Sequence, residues 1–286
     1  MSAARSRPGA RHGGRLAVAS ARHFLLCAAC LVVLGPVGYV VIASLKDVPD
    51  IFGNPYGLPT DWAWHNYVDA WHEAQLSLKL TNSVVVTGVS VLASTFLAAL
   101  ASYGLSRRER PLAMVLYTVF VSGMLIPVQM TVLPLFVLLR DIGILSTLGA
   151  MILPYIAMGL PLGVLILTPL IATLPRELGD AARMDGATEW QIFLSIVLPM
   201  IRPGLASVVI LNGVWMWNEF FIPLVLAIQP TTQTLPVGIM SFVGTYSTEW
   251  GLIFASVVMA TAPAVIAYVA MSRQFVEGLT AGAVKG

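Results

Sequence analysis

Six long apolar runs govern what this chain can become. They fall at about 23–45, 81–105, 112–139, 148–172, 204–228 and 250–272. Each has the ~20 residues a helix needs to cross a hydrocarbon core ~30 Å thick, where a helix satisfies its own backbone polar groups. Only 10% of the chain is charged, against about 25% in soluble domains. That is too little to clothe a water-facing exterior. The expected fold is an all-α integral membrane protein with six transmembrane helices, with five spans and a re-entrant piece as the competing count. The third run contains Pro127 and Pro134, which remove backbone donors and crowd the preceding turn, so its boundaries are the weakest.

Charge supplies the orientation. Residues 1–22 form a basic arm with Arg5, Arg7, Arg11, Arg15 and Arg22 and no acid. A signal peptide also begins this way, but its apolar core is shorter than the run Phe24–Leu45. The first helix is read as uncleaved and the arm as unstructured. With the N-terminus inside, inner segments hold thirteen Lys and Arg, and outer segments hold Lys46, Lys79 and Arg140. Positive residues collect on the cytoplasmic side, so both termini, including a tail at 273–286, and the segment 174–203 are expected there. The outer loop 46–80 carries Pro49, Pro55, Pro59 and the aromatic group Trp62, Trp64 and Trp71, which suits the membrane–water interface. Cys27 and Cys30 lie inside the first run with no other ligand nearby, and small packing residues explain them better than a redox or metal site.

Between the fourth and fifth runs lies LPRELGDAARMDGATEWQIFLSIVLPMIRP, residues 174–203. It reads as two short helices and a turn. Pro175 suits a first helical position, and Glu177 and Asp180 sit where the helix dipole favours acids. Gly186 is placed to take the left-handed conformation that closes a helix. Thr188 and Gln191 form a capping-box pattern that opens a second helix, which Pro199 is expected to end. A helical knob between two spans is suited to being gripped by something in the water.

The knob also carries a resemblance. Asp180-Ala181-Ala182, Asp185-Gly186-Ala187, Phe193, Ile196, Leu198-Pro199 and Pro203 closely resemble the EAA loop of the membrane subunits of bacterial ABC importers. That pattern is Glu-Ala-Ala, three residues, Gly, then a spaced apolar stretch ending in Leu-Pro. Asp180 stands where Glu is usual and keeps the charge. The resemblance implies a type I ABC importer permease fold with a cytoplasmic coupling helix. It implies two different permeases side by side as a heterodimer, two ATP-binding subunits beneath, and an extracytoplasmic solute-binding protein above. It also implies a bacterial plasma-membrane location. The residues that would engage the ATPase are Glu177, Asp180, Ala181, Ala182, Asp185, Gly186, Ala187, Phe193 and Pro199. ATP and Mg would sit on the partner, since no GxxxxGK[ST] loop occurs in this chain. The four histidines, 12, 23, 65 and 72, lie before or at the first run or in the loop after it, and no enzyme is read in this polypeptide.

The acid inside a run is Glu219, in NGVWMWNEFFIP at 212–223. An ionised carboxylate at mid-bilayer costs about 3 kcal/mol even on the lenient insertion scale, so it should face protein or water. Asn212, Trp215, Asn218, Glu219 and Ile222 fall on one face of a helix. Aromatic planes beside amide and carboxylate groups suit sugars; a polar clasp between helices or subunits is the other reading. Trp217-Asn218-Glu219-Phe220 resembles the fifth span of permeases in the carbohydrate-uptake, maltose-type branch. Val276 to Gly286 resembles the C-terminus of the second, shorter permease. The resemblance implies import of a sugar or oligosaccharide, a loop at about 229–248 with Pro230, Pro236 and Tyr246 that reaches the binding protein, and a tail near the ATPases. Glycerol-phosphate uptake is the rival within the class. An ion-coupled secondary transporter would use Glu219 but has no use for the knob, and a membrane scaffold or receptor subunit is the binding-module reading.

Overall fold

The computed structural model describes the backbone of residues 10–107, 110–244 and 248–283, and the side chains of 22–107, 111–244, 248–270 and 272. Among the described residues the chain is helical, apart from one antiparallel bridge between Val243 and Thr248. Helix α1 runs Ala10–Ala43. The basic arm, expected to be unstructured, is thus helical from Ala10, where alanine and arginine continue the helix; residues 1–9 lie outside the described residues. The loop that follows is more ordered than its prolines suggested. It holds α2 (Val48–Gly53) and α3 (His65–Glu73), and its last residues from Leu76 belong to the next span. Asn66 pins it by donating Nδ2 to the carbonyls of Ser44 and Lys46. Trp62 and Trp64 stack, exposed, with ring centres 6.3 Å apart.

Helices α4 (Leu76–Ser106) and α5 (Arg110–Ser122) come next, then α6 (Val128–Asp141) and α7 (Gly149–Ala172). The third run is therefore not one helix. It bends by 95° between α5 and α6, at Pro127, whose extended ψ of 128° no helix tolerates. Pro134 stays inside α6. Helices α4 and α7 form the centre of the molecule by close approach of small residues. A Cβ on Gly163 would lie 2.5 Å from the Ala98 Cβ, and one on Gly159 would lie 2.9 Å from the Ser94 Oγ. In hydrocarbon, where water gives helices no reason to associate, such contact is what joins them.

The chain then forms α8 (Arg176–Met184), α9 (Glu189–Ile192), a π-turn at Phe193–Val197 and α10 (Leu198–Met200). A 77° bend at Ile201 leads into α11 (Arg202–Asn218). The fifth run stops there rather than at 228. Glu219 is extended, ψ 126°, and a separate helix α12 (Phe221–Leu226) follows. After α13 (Leu235–Ile239), α14 runs Trp250–Ala283, so its backbone passes without a break from the sixth run into the tail. Among the described residues four helices are long and apolar enough to cross a membrane, at Arg22–Ala43, Leu76–Ser106, Gly149–Ala172 and Trp250–Ala270; the number is up to six if each bent pair is one span.

Candidate functional site

The knob begins at Pro175, which is not in the first helical turn but caps α8 in an extended conformation, φ −56° and ψ 126°. Helix α8 ends at Gly186, φ +82°, a left-handed conformation that glycine adopts without steric cost. The capping box forms as expected. The Thr188 Oγ1 accepts from the Gln191 N–H at 3.3 Å, and the Gln191 Oε1 accepts from the Thr188 N–H at 2.8 Å. Pro199, however, does not end the second helix. The widened π-turn just before it relieves the crowding a proline ring imposes, and the helix continues to Met200. The break comes at Ile201, two residues later.

A buried foot fixes the knob to the spans. Phe193 is 0% exposed and sits among Phe96, Tyr103 and Trp190, the Tyr103 ring 5.5 Å away. Its side chain thus packs the knob against the spans and is closed off from the surface of this chain. Ala182 and Ala187 are half-buried and pack against the same core, while Ala181 faces out. Ala181 and Ala182 thus face different ways, because neighbours on a helix point about 100° apart. Pro199 is half-buried. Exposed on the knob are Glu177, Asp180, Ala181, Asp185 and Gly186, with Met184 and Trp190 beside them.

A polar strut crosses the turn. Arg183 donates Nε to Glu189 at 2.6 Å and Nη1 to Asp180 at 2.7 Å, and the Tyr103 hydroxyl on α4 donates to the other oxygen of Glu189. These hydrogen bonds, from Arg183 first and Tyr103 second, hold the Glu189 carboxyl down at about 2. Asp180, expected to offer its charge to a partner, is already paired within its own helix. The strut escaped the sequence reading because Tyr103 lies 86 residues from Glu189. The π-turn has a weak signal in Pro199, and exposed Met184 has none.

The second candidate group does not share one helix face. Asn212 is buried and donates Nδ2 to the Gly159 carbonyl on α7. Trp215 is 38% exposed, its ring 5.7 Å from that of Tyr155. Asn218 is exposed and bonds back to the Val214 carbonyl. Glu219 turns onto the start of α12, Oε1 accepting from the N–H groups of Phe221 and Ile222 at 2.8 and 3.1 Å. Ile222 is fully buried. The helix ends between Asn218 and Glu219, so the periodicity that would align them is lost. Tyr155 was not foreseen beside Trp215. Tyr246 lies outside the described residues, as do the side chains of the tail.

Residues 90–277 match the family of binding-protein-dependent transport system inner membrane components. The diacetylchitobiose uptake system permease protein NgcG of Streptomyces coelicolor is 32% identical over 266 residues, 92% of this chain and 88% of that protein. The melibiose/raffinose/stachyose import permease protein MelC of Bacillus subtilis is 32% identical over 249 residues, 87% of this chain and 90% of that one. Among solved structures, a bacterial ABC transporter involved in the import of the acidic polysaccharide alginate shares the fold. Its TM-score is 0.76 at 21% identity, over 96% of this chain and all of that one. By these matches the chain belongs to the family of binding-protein-dependent transport system inner membrane components.

Proposed function

We propose that the protein is the membrane-spanning permease subunit of an ATP-driven, binding-protein-dependent importer for a sugar or oligosaccharide. Helices α5 and α6 together then make the third span and α11 with α12 the fifth, which gives six, with both termini and the knob in the cytoplasm. A second, different permease completes the translocation path. Two ATPases hold the knobs of the pair, and an extracytoplasmic binding protein delivers the solute. Relatives that serve diacetylchitobiose uptake in one case and melibiose, raffinose and stachyose import in another support an oligosaccharide. The observation that carries the reading is the rigid knob. Its foot, Phe193, is fully buried in the spans, and its outer face, from Glu177 to Gly186, is left free. Closure of the ATPases moves such a body as a unit and rocks the spans on which it stands. In the path, Trp215 and Asn218 are the exposed members, placed to meet the apolar face and the hydroxyls of a sugar. Asn212 and Ile222 hold helices together.

The test is purification in mild detergent through a tag on the N-terminal arm, with mass spectrometry of what accompanies the chain. A second permease together with an ATPase is the expected outcome, and the binding protein encoded with them is then screened against oligosaccharides. Recovery of the chain alone under several mild conditions would sink the coupling role.

A further inference from the structure

At the root of the knob the chain leaves a cavity of about 70 Å³. Its walls come from the end of α4 (Ser106, Arg107), the approach to α8 and its first turn (Leu174, Arg176, Gly179) and the π-turn (Val197). Among the described residues two arginines border it and no acidic side chain does. The Arg107 guanidinium lies 5.0 Å above the Tyr103 ring. Its Nη2 stands 2.9 Å from where a Cβ on Gly179 would be, so the bare glycine is what lets Arg107 reach across α8. The nearby carboxylates of Asp180 and Glu189 are both bonded to Arg183. The field of Arg107 reaches Glu189, but among the described residues neither Arg107 nor Arg176 has an ion-pair partner.

Size narrows the ligand. The cavity is small beside the roughly 300–1,000 Å³ of pockets for drug-sized molecules, a size that suits a single tetrahedral oxyanion. The guanidinium fork suits phosphate oxygens. The cavity also sits where α4, long and apolar enough to cross a membrane, ends against the knob, and basic pockets at the ends of spans bind anionic headgroups. Apolar Leu174 and Val197 in the same wall suit the alkyl part of a phosphodiester.

We propose that this cavity is a phosphate-binding site, clamped by Arg107 and Arg176, that takes the headgroup of an anionic phospholipid or the same group from solution. Occupied, it ties α8 to the end of α4 and stiffens the knob at its root. That last consequence rests on the coupling role proposed above; the binding does not.

The experiment uses the complete transporter complex in nanodiscs of phosphatidylcholine and phosphatidylglycerol, with retained lipid counted by native mass spectrometry. Loss of two charge-assisted clamps in Arg107→Gln/Arg176→Gln should cut retained phosphatidylglycerol by roughly fivefold or more. The Arg107→Lys/Arg176→Lys variant should keep an intermediate share. Gly179→Ala, which leaves both charges in place and only crowds the tip of Arg107, should lower retention as well and guards against misfolding of the double variant. Millimolar inorganic phosphate distinguishes the sources. If it displaces nothing, the site belongs to the lipid headgroup; if it displaces the lipid, the phosphate site stands with a soluble source. Equal retention in wild type, the glutamine variant and Gly179→Ala overturns the site. A nanodisc is open on both faces, so the result reads binding whether or not the knob couples to an ATPase.

Discussion

The carboxylate of Glu219 is bound by the backbone of its own chain, and this separates two roles that a lone intramembrane acid could have. Glu219→Gln keeps an acceptor oxygen for Phe221 and Ile222, whereas Glu219→Ala removes it and should cost about 0.5–2 kcal/mol, the usual worth of such a cap. Uptake near wild type in the glutamine variant, with a lower melting temperature in the alanine variant, is expected; loss of uptake in both would mean the charge itself is needed. Gly186 is the second residue with a sharp consequence. Any side chain at φ +82° is strained by about 1–2 kcal/mol, so Gly186→Val should let the complex hydrolyse ATP while uptake falls several-fold, measured together in proteoliposomes. Glu189 sets a pH limit. Its folded carboxyl lies at about 2 against an ordinary 4.5, so the strut contributes fully above about pH 4.5 and is lost as pH falls toward 2. Melting of the purified complex should thus change no differently in Glu189→Gln and wild type between pH 5 and 8 (roughly the range of uptake assays). The two should converge only under acid. The residue itself is half-exposed, which keeps the effect small.

At the scale of elements, the knob is only as stiff as its foot. Phe193→Ala empties a fully buried position and should cost about 3–5 kcal/mol, enough to loosen the knob from the spans. The expected readout is a variant that still inserts in the membrane but no longer retains the ATPase on purification. Met184→Ser, at an 88% exposed position, should weaken the same retention without lowering the melting temperature. The contrast between them distinguishes anchor from surface. Helix pairing in the bilayer gives a further case: Gly163→Val forces α7 away from Ala98 and should reduce the amount of folded protein in the membrane. The bends between these elements were partly legible. Pro127 announced one. The 77° turn at Ile201 had a signal in Pro203, in the first turn of α11, whereas the end of α11 at Asn218 was not announced, because no proline or glycine stands beside it. Pro199, which looked like the stop, was absorbed by the π-turn.

At the scale of the whole molecule, one helix is left uncovered. The apolar window of α1 has none of its residues buried within this chain, and Leu31 and Val32 are about three-quarters exposed. Lipid satisfies such a surface, and so would a neighbouring permease; crosslinking from Cys27 or Cys30, both exposed on α1, should capture the second permease in the purified complex and leave the chain uncrosslinked when it is expressed by itself. The sequence determined the class of fold, because runs of about twenty apolar residues have a helix as their only comfortable state in hydrocarbon. It also determined the turn of the knob, since Gly186, Thr188 and Gln191 act within a few residues of one another. Tertiary structure decided which residues of the knob face outward and which anchor it. It joined Tyr103 to Glu189 and placed Arg107 over Gly179, and it broke the fifth run so that Asn212 and Glu219 serve different neighbours. Those outcomes depend on contacts between distant parts of the chain, and local periodicity carries no record of which side of a helix another helix will cover.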